Sequence, residues 1–477
     1  MICKNLHKIV KGHSFRMLLS FFIVFCFFVT VHGEEKKDIK EDLTVFTKEE
    51  FIETFLKNAE IVDSLRYEVK AAQADYDLVL AQYFPKMKMT FGLGPHPKYE
   101  YEPMRLEQKD ENDPSQGYTV INDNWKHYTW DFSEYGVAVR VKAQFMMPIY
   151  TFGKFVNGRD AAKAGVAVKE AQSEIGLLKL RKEAATYYWS WVFANEMLDL
   201  MKPAVKKVEE AENKMKKMLY EEKEGVSQKD LIKLRIEKEK ILYRLKGLEL
   251  QHDTLKVALN KILGDNWELA DSRLTKQNYK RDYDNVLSFM TNESPYKKYL
   301  QSGLDALENL YDYELCKLFP DFGLAGYFEY KYTSSVYEND YPYANSPYNG
   351  WDGEFGIGIT ININYVEQGR KIQKAKAKWK AMVAKAKFME KTVPVLIKKK
   401  YNELKSLEAQ VKHVKKARKY SKGWMTMEFT NYESGFNNTK DLIDAVKVHF
   451  ENEFLYLQSV FEYNMKIEDI VESTGAR

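Results

Sequence analysis

One order of elements occurs twice in these 477 residues, and a chain built by duplication has few folds open to it. Phe84-Pro85 follows a helical stretch and precedes an alternating one, and Phe319-Pro320 does the same 235 positions later. Glu60 and Pro295 share that offset, so the helices leading into the two Phe-Pro pairs have matched lengths. Tyr150-Thr151-Phe152-Gly153 opens a long Ala/Lys/Glu-rich helix, and Tyr365-Val366-Glu367-Gln368-Gly369 opens another. Tyr220 with Gly225, and Tyr432 with Gly435, stand just before two copies of Lys-Asp-Leu-Ile, at 229–232 and 440–443. Leu263-Gly264 and Thr474-Gly475 close the two halves. Each half, 34–265 and 266–477, reads helix, strand, loop, strand, long helix, turn, helix.

The strands are expected at about 86–94, 136–147, 321–332 and 354–365. Every second residue from Ile357 to Ile363 is isoleucine, and Val139, Val141 and Phe145 share one alternating face. Period two over about ten residues is the pattern of a transmembrane barrel strand, which puts Val139, Val141, Phe145, Ile357, Ile359 and Ile361 against lipid. A soluble sheet with one wet face gives the same alternation. Four strands cannot enclose a lumen, since barrels start at about eight. An open edge in lipid would leave backbone groups unpaired. Strands in a membrane therefore require several chains to share one barrel. The stretches from Pro95 to about Tyr135 and from about Thr333 to Gly353, rich in Tyr, Pro, Asn and acids, suit long exposed loops.

Only Gly158, Gly165, Gly176 and Pro203 punctuate the helical pattern from Lys154 to Glu222. Roughly 68 residues at 1.5 Å each span about 100 Å. The return arm, Gln228 to Leu263, is half as long, as is the lead-in helix from Thr47 to Phe84. Two short helices stacked end to end would match the long one. This predicts a wall of antiparallel helices with strands at one end and the Tyr/Gly turns at the other. Pro203 is expected to kink its helix.

Charge and the N-terminus bound the partners. The chain has 73 basic and 69 acidic residues, but Lys4, Lys8, Lys11 and Arg16 precede an apolar run from Met17 to Val31. This reads as a secretory signal over residues 1–33, leaving a neutral mature chain. Bulk positive charge for holding nucleic acid is thus excluded. Beyond the signal no run of 18 apolar residues offers a transmembrane helix, and Cys316 is the one cysteine. The five histidines outside the signal are scattered, no Ser or Cys has a base in its motif, and Gly353, Gly356 and Gly358 lack the strand-to-helix setting of a phosphate loop. Neither an enzyme nor a cofactor or metal site is expected.

The order of these pieces, twice over, resembles the TolC family of outer-membrane efflux channels. The telling segments are Ala72-x-Ala74 through Phe84-Pro85, Pro148-Ile149-Tyr150-x-x-Gly153, Gly225-Val226-Ser227-x-x-Asp230-Leu231, and Tyr432-x-x-Gly435 through Asp441-x-x-Asp444-Ala445. The resemblance implies a fold that is mainly α with membrane β, two repeats of paired strands and helical hairpins. It implies a homotrimer whose 12-stranded barrel in the outer membrane continues as a periplasmic α-helical barrel. A periplasmic adaptor and an inner-membrane transporter would dock at the helical tips, and the channel would be a passive exit duct for efflux or type I secretion. Asp441 and Asp444 match two acids, one turn apart, that ring and constrict the pore. Tyr432 matches an aromatic that holds the closed tip, with Gly435, Tyr220, Gly225 and Asp230 at the same turns. The family's basic latch position falls on Asn437, which implies a gate held by hydrogen bonds rather than an ion pair. The residues alone also fit a periplasmic or extracellular helical-hairpin scaffold with a soluble sheet.

Overall fold

A computed structural model describes residues 44–101, 106–108, 118–120, 128–221, 227–271, 273–335, 348–361, 363–434 and 439–475. The predicted signal lies outside the described residues. All described residues but Thr44 belong to one unit, Val45–Arg477.

The chain begins with β1 (Thr44–Phe46), α1 (Lys48–Asn58) and α2 (Glu60–Ala81), then β2 (Lys86–Tyr101), two three-residue strands β3 (Leu106–Gln108) and β4 (Tyr118–Val120), and β5 (Tyr128–Tyr150). A hairpin of α3 (Lys154–Tyr220) and α4 (Gln228–Leu263) follows. After β6 (Trp267–Leu269) the order recurs: α5 (Tyr283–Asn292), α6 (Pro295–Cys316), β7 (Asp321–Thr333), β8 (Gly350–Thr360), α7 (Tyr365–Glu433) and α8 (Thr439–Thr474). Both α2 and α6 have 22 residues, both α4 and α8 have 36, and α3 and α7 have 67 and 69.

Local chemistry sets the boundaries. Thr47 and Glu50 form a reciprocal capping box on α1. Ser227 caps α4 by accepting from the Asp230 N–H, and Ser294 caps α6 with Pro295 at its first position, where a missing N–H costs nothing. Gly153 turns β5 into α3 with φ +87°, and a Cβ there would lie 3.3 Å from Cys316 Sγ.

The sheet order is β2-β5-β7-β8, all pairs antiparallel. Several strand bounds differ from the pattern reading, and β8 begins at Gly350, inside the expected second loop. β2 and β5 run on into the expected first loop and pair as far as Tyr101↔Tyr128. Pro95 and Pro97 do not stop β2, because it is an edge strand, where a missing N–H is tolerated. β8 ends at Thr360 rather than near 365, because Asn364 caps a helix that starts at Tyr365. Gly369 accordingly sits inside α7, whereas its counterpart Gly153 precedes α3. The lead-in helix also breaks, at Ala59, whose ψ of 108° is extended. Pro203 in α3 and Pro394 in α7 each remain within a continuous helix.

Next to the sheet the helices pack in the order α2, α3, α6, α7, and in the distal half α4, α3, α8, α7. The short helices abut at mid-height. Asn58 at the end of α1 donates to the Ile262 carbonyl at the end of α4, 2.7 Å away. Gly475, which ends α8 at φ +78°, stands against Pro295 of α6. Here lies the main core, with Phe51, Ile52, Tyr188, Leu259, Val286, Leu457, Val460 and Ile470 all at most 1% exposed. Asn464, fully buried, ties the linker before α5 to α8: its Nδ2 donates to the Thr275 carbonyl and its Oδ1 accepts from the Gln277 N–H, both 2.9 Å. Asn464→Leu orphans both backbone groups. Urea titration followed by helical circular dichroism should show a loss of about 1–3 kcal/mol for each group.

Candidate functional site

The strand register sorts the sheet into two chemically opposite faces. On one, Phe91, Val141, Tyr330 and Trp351 stand level across the four strands, as do Met87, Phe145, Gly326 and Phe355. Met87, Met89, Phe91, Leu93, Phe355, Ile357 and Ile359 are exposed on this face, while Val139, Val141 and Phe145 are half-covered by neighbouring strands. Ile361 lies one residue past the end of β8 and is likewise exposed.

Aromatic rings border this apolar field at both ends. Trp351 stacks on Phe328 and Tyr330 with centroids 5.0 and 4.5 Å apart. At the helix junction Phe152 meets Tyr150 and Phe319 at 4.8 and 5.6 Å, and Tyr83 meets Phe155 at 4.3 Å. Phe322, in contact with Phe152, and Tyr330 are eight steps apart on β7, about 26 Å along the strand.

The other face is charged and lines an open hollow that includes Lys86, Lys88, Gln144, Tyr327 and Glu354. Thr90, Lys142, Glu329 and Asp352 are level on it. Lys142 Nζ sits 4.5 Å over the Tyr327 ring, and the Tyr327 hydroxyl donates to Asp352 at 3.3 Å. Glu329 is buried beneath an ion pair with Arg140, and Lys331 lies 3.7 Å away.

At the opposite end of the molecule the two hairpins meet. Val208, Met215, Leu231 and Leu234 form a small core in the α3–α4 hairpin, and Ile443 of α8 packs against it. With Ala445 fully buried, Asp441 and Asp444 are left exposed on the remaining face of α8. Tyr432 brings its hydroxyl to 3.6 Å from Met218 Sδ of α3, joining the hairpins. Tyr220 is 91% exposed. Asp230 belongs to the α4 cap, where the Ser227 hydroxyl donates to its carboxylate at 2.6 Å. Gly225, Gly435 and Asn437 lie outside the described residues.

Two carboxylates outside the motifs read from the sequence are structural centres. Glu212 of α3 is buried, and Lys216 (2.8 Å), Lys238 (2.9 Å) and Arg235 (3.0 Å) converge on it. Hydrogen bonds from Lys216 and Lys238, outweighing desolvation, hold its pKa at about 2. Glu212 precedes the turn by about as many residues as Arg235 and Lys238 follow it, so the hairpin register was the signal available in the sequence. Asp469 of α8 is met by Lys182 (2.7 Å) and Lys400 (3.1 Å); desolvation pushes its pKa up, but the two lysines prevail and bring it to about 2.

Among the described residues no group of three or more His, Cys, Asp or Glu is placed to hold a metal ion, and no helix is long and apolar enough to cross a membrane.

An open antiparallel sheet with one apolar face, continued by paired hairpins of this length, defines the fold of TolC-like outer-membrane channels. Among solved structures the chain is similar to the open state of the Neisseria gonorrhoeae MtrE outer membrane channel (TM-score 0.69, 14% identity, 94% of this chain and 96% of that one covered). It is also similar to the Campylobacter jejuni CmeC outer membrane channel (0.67, 14%, 94% of each chain). The outer membrane protein VceC of Vibrio cholerae has the same fold (0.64, 13%, 90% of this chain and 96% of that one). No family model and no curated protein matches the sequence.

A carboxylate whose folded pKa lies below its unfolded value of about 4.3 contributes stability above that value, and the contribution is lost as pH falls toward the folded value. Glu212 and Asp469 should therefore make the helical hairpins less stable between about pH 5 and pH 2. Thermal melts across this range should show the fall, with a shallower slope in Glu212→Gln.

Proposed function

We propose that this chain is a trimeric outer-membrane channel, the passive exit duct of a tripartite efflux or type I secretion system. The observation that carries this reading is the sheet: four strands with two free edges, an apolar face between aromatic bands, and a charged concave face. Such a sheet satisfies its backbone in lipid only inside a closed barrel, and three copies supply 12 strands. The apolar face, with Val139, Val141, Phe145, Ile357, Ile359 and Ile361, meets outer-membrane lipid, and the charged face lines the lumen. The helical hairpins extend the duct into the periplasm, where an adaptor and an inner-membrane transporter engage the tips. Residues 1–33 direct export, and the repeats 34–265 and 266–477 each contribute two strands. No nucleic acid, cofactor or catalytic step enters this reading.

Asp441 and Asp444 gather six carboxylates about the threefold axis, and Tyr432 holds the tip closed through α3, with Asn437 in the latch position. Both aspartates are exposed on one face of α8 while Ile443 is packed away, which supports this placement.

Detergent extracts of outer membranes from cells expressing the full chain should yield a species of three chains. In planar bilayers it should give small, discrete, cation-preferring openings; a soluble monomer without conductance would overturn the reading. Replacing Asp441 and Asp444 by Ala should weaken block of single-channel current by trivalent cations, and unchanged block would remove the acidic ring alone. Ile357→Lys should cost roughly 2–4 kcal/mol if the site lies at mid-membrane, read as loss of folded barrel in a lipid-vesicle titration.

A further inference from the structure

Helix α7 carries 19 lysines and arginines against six glutamates, whereas its counterpart α3 carries 13 basic residues against nine acids. The excess is ordered. Lys391, Lys398, Lys405, Lys412 and Lys419 recur at every seventh position, and all five are exposed. A seven-residue step is about 10.5 Å of rise and keeps to one side of a coiled-coil helix, so the five form a ladder about 42 Å long. Three residues on from Lys412 and Lys419, Lys415 and Lys422 add two more exposed cations on the neighbouring row. The carboxylates of α7 within this stretch are occupied: Glu403 pairs with Lys466, and Glu408 is met by Lys276 at 2.8 Å and Lys405 at 3.1 Å. Among the described residues Lys391, Lys398, Lys412 and Lys419 have no carboxylate partner.

The ladder has a definite side. Three residues after Lys391, Lys398 and Lys405 come Pro394, Tyr401 and Glu408, and all three meet the linker and first residue of α5. The Pro394 carbonyl accepts from the Tyr283 hydroxyl at 3.5 Å, the Tyr401 and Tyr283 rings lie 5.9 Å apart, and Glu408 accepts from Lys276. Lys398 Nζ itself stands 4.2 Å over the Tyr283 ring. The lysines are therefore on the side of the long-helix layer that the linker and α5 cover at mid-height. In a duct walled by one layer of helices such a second layer belongs outside, because inside it would obstruct the passage.

What this face holds, it holds by charge. Four residues on from the ladder lysines stand Val395, Asn402, Ala409, Lys416 and Gly423, which make no continuous apolar seam for a partner helix. We propose that the ladder fastens the outside of the duct to an anionic glycan polymer, the carboxylate-bearing cell wall that a duct crossing the periplasm must pass through. Lysines on flexible stems suit carboxylates presented at varied angles by a mesh. Equal steps let that mesh engage at any height along the ladder, which a single site would not. This inference rests on the channel reading and adds a wall anchor to it.

The test sediments the full chain in detergent with isolated, protein-free cell-wall sacculi. The wild-type chain should pellet with them at low salt and be released at high salt. Lys391→Glu/Lys398→Glu/Lys412→Glu/Lys419→Glu should raise the concentration needed for half-maximal binding by about tenfold or more, while the same four positions changed to Arg should leave it unaltered. Independently of any variant, sacculi whose carboxylates have been converted to amides should fail to hold the wild-type chain. In whole cells a photoreactive residue in place of Lys412 should become joined to wall fragments that a muramidase releases; cross-links to protein alone would overturn the proposal in favour of an acidic partner helix. A conducting trimer that ignores sacculi, or binds them equally after the four reversals or after amidation, would overturn the anchor and leave the channel reading standing. A monomer without conductance would overturn both.

Discussion

Backbone hydrogen bonding at the two outer edges of the sheet governs what this chain can be. β5 and β7 are paired on both sides, whereas β2 and β8 each have a partner on one side only. In water such edges are solvated and tolerable; in hydrocarbon each unpaired group costs several kcal/mol. The apolar face and its aromatic borders fit lipid, so edge and face together ask for more strands than one chain provides. Helices α2 and α7 stand over the same two edges, and their exposed faces make the same demand in side-chain terms.

Between sheet and tip, the molecule is held by contacts that cross from one half of the sequence to the other. The mid-height core draws on α1, α3, α4, α5, α7 and α8, and Lys48 reaches Glu468 across it at 2.5 Å. Asp469 is shared between Lys182 of α3 and Lys400 of α7. Lys466 lies 3.5 Å from it as well, and a carboxylate met by several cations keeps its charge on burial at less cost than one in an isolated pair. The same economy recurs nearer the tip at Glu212.

Much of this fold was legible because periodicity is a local property. The alternation of Met87, Met89 and Phe91, and the uninterrupted run after Lys154, report strand and helix without knowledge of neighbours. The starts of α3 and α4 were readable from Gly153 and from Ser227 with Asp230. What escaped depends on context. Proline normally ends a strand, but Pro95 and Pro97 are accepted because β2 has an open side. The break at Ala59 has no Gly or Pro signal and follows from the meeting of α1 with the end of α4 at Ile262. At the tip, Asp441 and Asp444 were singled out by the family resemblance, and the structure leaves both exposed. The burial of Ile443 against the first hairpin needed three dimensions to see. Glu212 carries no local signal of its role, which comes from the α4 lysine and arginine that the hairpin brings to it.

The pairing of β5 with β7 bears on how the chain is made. Ala138 and Thr333 are partners although they lie 195 positions apart. By contrast, the α3–α4 and α7–α8 hairpins close over short turns and can form as soon as they are synthesised. The loop-closure entropy of the central strand pair is met only after the first hairpin and the lead-in of the second repeat are complete. The sheet therefore assembles late. Until then its apolar strands lack their sheet partners, and this interval is where the chain is most vulnerable to aggregation.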